Sequence, residues 1–79
     1  MGGIFGISRL RLRFMTRHYK DWTIDIIVVE HWSFGRGFRA QAYIPKTDGT
    51  KANIREFYRY DGIKNQKEML EYTQKLLEI

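Results

Sequence analysis

Trp22-Thr23-Ile24-Asp25-Ile26-Ile27-Val28-Val29-Glu30-His31 is the stretch that decides the fold. Trp22, Ile24, Ile26 and Val28 share one parity, and Thr23, Asp25, Ile27 and Val29 share the other. Polar/apolar alternation thus passes into a solid run of β-branched residues. Two heavy atoms on Cβ crowd a helical turn but pack well on a pleated surface, so the stretch reads as a strand. Its C-terminal half is expected to be covered on both faces.

The neighbouring segments supply partners for that strand. Ser33-Phe34-Gly35-Arg36-Gly37 reads as a connection, because its two glycines permit backbone angles that other residues avoid. From Phe38 to Ile44 the pattern is again that of a half-buried strand, with Phe38, Ala40, Ala42 and Ile44 on one face and Arg39, Gln41 and Tyr43 on the other. Pro45 ends it, since proline cannot donate to a ladder. Asp48-Gly49 then stands between two alternating runs, a strong short-range hairpin signal. Lys51 to Tyr60 gives a third strand, with Ile54, Glu56, Tyr58 and Tyr60 on one parity and Asn53, Arg55, Phe57 and Arg59 on the other. Apolar side chains on both parities place an expected bulge or aromatic flip near Phe57 and Tyr58.

Beyond Asp61-Gly62 the period changes. Asn65 offers an N-cap and Glu68 stands where it completes a capping box. Met69, Tyr72, Thr73, Leu76 and Ile79 then recur at helical spacing, widened by Leu70 and Leu77. A helix of about 15 residues is marginal alone, so it must dock on the sheet. The fold class is therefore α+β: a three-stranded antiparallel meander packed on one face by a single C-terminal helix (β-β-β-α). A fourth strand is expected if residues 7–14 add an edge. This order resembles that of several small nucleic-acid-binding folds, double-stranded-RNA-binding domains among them. The resemblance is in the order of elements only, and it names no family.

The chain has 79 residues, enough for one domain with a small core. It has no cysteine, which excludes disulfides and thiolate zinc sites. With only two histidines, a structural zinc site would need carboxylates as well. No run approaches the roughly 20 apolar residues that span a bilayer, and Gly2 to Ile7 is short for a signal peptide, with its arginines on the wrong side. These features point to a cytoplasmic protein. Ser8 and Ser33 lie in no nucleophile motif, and Gly35-Arg36-Gly37-Phe38 lacks the length and the Lys of a phosphate loop. No enzyme, cofactor or metal site is expected.

The net charge of +5 is unevenly placed. Arg9, Arg11, Arg13, Arg17 and Lys20 fall in residues 1–20 without an acid, while residues 21–79 carry equal numbers of basic and acidic side chains. Residues 1–14 thus read as a basic arm or extra edge strand ahead of a domain over 15–79. The alternative is a tail without function, with Met15 as the true start.

Two binding surfaces follow. If the Trp22 parity faces the helix, Arg39, Tyr43, Arg55, Phe57 and Arg59 are expected on the open face, with Gln41 and Asn53 among them. Aromatic rings flanked by cations stack bases and neutralise phosphates. The leading expectation is therefore a small domain that binds single-stranded nucleic acid through this face and through Arg9, Arg11 and Arg13. The bland reading of the same residues is an ordinary strand surface with cross-strand aromatic pairs. The rival function is protein–protein interaction or homodimerisation, through an open sheet edge or through Trp32, Phe34 and Arg36. In a chain with so little core, Trp32 and Phe34 are expected to fold back over it.

Overall fold

The computed structural model describes residues 15–79. The expected strand at residues 7–14, with Arg9, Arg11 and Arg13, lies outside the described residues. Four antiparallel strands follow one another in space as in sequence: β1 (Met15–Tyr19), β2 (Trp22–His31), β3 (Gly35–Pro45) and β4 (Lys51–Arg59). Among the described residues one helix, α1 (Gln66–Leu77), follows the sheet. The fourth strand of the sheet is thus supplied by Met15–Tyr19, directly ahead of the decisive stretch.

Register sets the two faces. Ile26 stands opposite Met15 on one side and Ala40 on the other, and Ala40 stands opposite Phe57. Ile24 faces Ala42, and Val28 faces Phe38. Ile24, Ile26, Phe38, Ala40, Ala42 and Met69 form the buried apolar cluster, with Met15, Tyr19, Trp22, Val28, Phe57, Leu70, Tyr72 and Leu77 packed around it. The helix lies over β2 and β3, and Ala40 and Ala42 beneath it are small enough to admit Met69 and Thr73. Burying a side chain the size of Ile26 contributes about 1.5–3 kcal/mol. Buried Thr73 satisfies its hydroxyl by donating to the Met69 carbonyl, 2.7 Å away. Ile79, expected in the apolar stripe, is 95 % exposed because the helix ends before it.

The connections follow their local chemistry. Asn65 caps α1, its side-chain oxygen accepting from Glu68 N at 2.9 Å. Glu68 reaches back to Lys64 N at 2.8 Å, one residue earlier than a capping box requires. In the β3–β4 loop, Asp48 accepts from the amide and hydroxyl of Thr50, and Gly49 takes a φ of 88°. Those two bonds hold the Asp48 carboxyl below its usual range. Lys20 turns the chain from β1 to β2 with a φ of 55°, and its ammonium pairs with Glu78 at 2.7 Å. Tyr19 also donates to Glu78, so the end of the helix is tied to the first hairpin.

The β4 irregularity falls elsewhere than expected. Two residues, Asn53 and Ile54, stand between the pairs Ala42–Arg55 and Ile44–Ala52, where β3 has Tyr43 alone. Asn53 adopts a φ of 56°, a conformation asparagine tolerates better than most residues. The bulge is therefore at Asn53, and Phe57 and Tyr58 continue the regular ladder.

Candidate interaction surface on the open sheet face

The register sorts the residues expected to form one platform onto two faces. Arg55 lies opposite Ala42, Phe57 opposite Ala40 and Arg59 opposite Phe38, so all three belong to the helix side. There Phe57 packs against the core, Arg55 stacks on its ring at 5.2 Å, and Arg59 lies 4.6 Å over Tyr72 of the helix. Arg39 and Tyr43 do face away from the helix. The five residues therefore do not share one face. The physical reason is the pleat: Phe57 and Arg39 can share a face only if the β3–β4 register slips by one residue, which would expose Phe57 and bury Tyr58.

What the open face carries instead has two ends. At one, Asp25 accepts from Thr16 (2.7 Å) and from the Tyr43 hydroxyl (3.2 Å). Glu56 accepts from Arg39 (2.9 Å) and Gln41 (3.1 Å), while Lys51 donates to Gln41 at 3.0 Å and sits 4.5 Å over the Tyr43 ring. Bonds from Arg39 and Gln41 hold the Glu56 carboxyl below its usual range, and the bond to Glu56 raises Arg39. Partial burial, with Asp25 beside it, raises the Tyr43 phenol. Among the described residues, the two cations of this end, Arg39 and Lys51, are matched by its two carboxylates, Asp25 and Glu56, which leaves no surplus charge for phosphate.

The other end is aromatic. His31 closes β2 opposite Gly35, and Trp32-Ser33-Phe34 form the three-residue loop between them. Gly35, with a φ of 82°, supplies the left-handed residue that such a hairpin needs. His31 Nδ1 accepts from the amides of Ser33 (3.0 Å) and Phe34 (3.1 Å), which fixes the loop. The His31 ring stacks on Phe34 at 4.4 Å and on Trp32 at 5.7 Å, and Tyr60 closes on Phe34 at 5.3 Å. Tyr60 reaches there because Gly37 has no side chain: a Cβ at residue 37 would stand 2.4 Å from the Tyr60 ring and 2.5 Å from the Arg59 carbonyl. Phe34, Tyr58, Arg59, Tyr60 and Asp61 line an open depression of about 420 Å³ beside these rings.

Trp32 is 94 % exposed, Phe34 64 % and Tyr58 49 %. The expected folding-back of Trp32 and Phe34 over the core is therefore corrected. The loop extends past the end of the sheet, and its rings pack on His31 and Tyr60 instead. Arg36 does not join them, since it stands opposite Glu30 on the helix-side parity. Tyr58, Tyr60 and His31 are members that the sequence reading passed over. Their signal was present: Tyr58 and Tyr60 share a parity opposite to that of Phe57, and only one parity can face the helix.

Among the described residues no cluster of His, Asp and Glu could hold a metal ion. No described helix is long and apolar enough to cross a membrane. The chain matches no protein-family model, no curated protein and no solved structure.

Proposed function

We propose that this chain is a non-enzymatic protein-interaction module whose working surface is the aromatic end of the open sheet face. The observation that carries this reading is the near-complete exposure of Trp32, joined through the His31 ring to Phe34, which shares a depression with exposed Tyr58. Water disfavours large exposed rings, and monomeric surfaces rarely gather them unless something docks there. Tryptophan and tyrosine are also the residues that most often dominate binding energy, because each covers much area with few rotatable bonds. His31 and Gly37 hold the patch in shape before any partner arrives, which lowers the ordering cost of association.

Single-stranded nucleic acid is the second reading. It is favoured by the same exposed rings, which can stack bases, and by the five basic residues without an acid in residues 1–20. Against it stands the neutralised polar end, where Arg39 is already bonded to Glu56.

The test is a photo-crosslinking amino acid placed at Phe34, with Lys67 on the exposed side of α1 as the control position, in cells making the full chain. Discrete protein adducts from residue 34 are expected, resistant to nuclease and lost when Trp32→Ala is added. Adducts that nuclease removes would transfer the assignment to nucleic acid. Equal adducts from residues 34 and 67 would refute the surface.

A further inference from the structure

Resting on that interaction reading, we infer that the aromatic end takes a proline-rich peptide in the polyproline II conformation, with a basic residue beside its prolines. Such a segment has no internal hydrogen bonds and presents solvated carbonyls on every side. A surface built for it therefore needs ring walls to receive pyrrolidines and N–H or O–H donors for the carbonyls between them. Both are here. Phe34, Tyr58 and Tyr60 wall the depression, and Trp32, outside that lining, stacks on the His31 ring that also stacks on Phe34. The Trp32 indole N–H and the Tyr60 phenol O–H have no hydrogen-bond partner among the described residues, where both side chains make ring contacts only.

Charge selects within that class. Asp61, its side chain 97 % exposed, lines the depression together with Arg59. Its neighbour Arg59 approaches no closer than 3.9 Å, being drawn instead over Tyr72 and to the Asp61 carbonyl at 3.1 Å. A carboxylate held so loosely is available to an arginine or lysine of the ligand and opposes a phosphate. A second copy of this chain is a poor occupant, because its only proline, Pro45, ends a paired strand.

The experiment is a titration of the isotope-labelled full chain, followed by amide and indole shifts. The probes are the peptide RALPPLP, its proline-free counterpart RALAALA, its arginine-free counterpart AALPPLP, and a short oligothymidine. Saturable shifts with RALPPLP are expected at the Trp32 indole, Phe34, Tyr58 and Tyr60, with none at Gln41 or Tyr43. Trp32→Ala should weaken that binding by about tenfold or more. Asp61→Asn should weaken RALPPLP by a few fold and leave AALPPLP unchanged. No saturable shift up to about 1 mM peptide, which still covers weak specific binding, overturns the peptide class. So does an equal response to RALAALA. In both cases adducts from residue 34 would leave the interaction reading standing. Shifts at the tip with oligothymidine alone, or with the protein's own concentration, overturn both.

Discussion

The two ends of the open sheet face are built from the same kinds of residue, and they use them in opposite ways. At the Asp25–Glu56 end, tyrosine, cation and carboxylate are bonded to one another, with Tyr43 donating to Asp25 and Arg39 to Glu56. At the His31–Tyr60 end the rings stack, but the polar tips of Trp32 and Tyr60 and the carboxylate of Asp61 stay unengaged or loosely held. Cross-strand neighbours on adjacent ladders satisfy each other where the sheet is four strands wide. Among the described residues the β1–β2 ladder stops at Ile26, and from Ile27 to His31 β2 pairs with β3 alone.

The largest blow to that contrast is Ile26→Ala, which removes the fully buried side chain beneath the sheet. A loss of about 2–5 kcal/mol is expected, against a total of about 5–15 kcal/mol for small domains. Urea unfolding should show both ends melting together. Gly37→Ala should separate them. Its Cβ meets the Tyr60 ring, so about 1–3 kcal/mol is expected to be lost, with shift changes at His31, Phe34 and Tyr60 and the Asp25–Tyr43 contact intact.

Tyr43→Phe strikes the polar end alone. It deletes the hydroxyl that donates to Asp25, and chemical denaturation should register about 0.5–1.5 kcal/mol. Trp32→Ala, by contrast, should leave stability within about 0.5 kcal/mol, because the ring covers no core. A larger loss by calorimetry would restore a core role for Trp32.

The smallest effect is the acid response of the polar end. Glu56 has a carboxyl pKa lowered first by its bond from Arg39, so the native state favours the ionised form. Its contribution is fully present above the ordinary glutamate value, about 4.3, and fades as pH falls through the lower native value. Glu78, lowered by Lys20 and Tyr19, acts in the same direction. Melting temperatures should fall with acid below about pH 4.3, less steeply in Glu56→Gln, while shifts of the Trp32–Phe34 loop should show no step that Glu56→Gln removes.

Much of this molecule was written in local sequence. The β-branched run from Ile26 to Val29 demanded a strand, Pro45 and Asp48-Gly49 placed the turn, and Asn65 with Glu68 placed the start of the helix, because each acts over a few covalent neighbours. Parity within β4 was equally legible. Which parity met the helix was not, since that depends on how β3 and β4 slide past each other, and the bulge at Asn53 and Ile54 sets that register. Phe57 and Tyr58 are interchangeable to a pattern and opposite in space. The exposure of Trp32 was likewise a tertiary decision: the sheet ends beneath its loop, and apolar attraction finds a surface only where one is within reach.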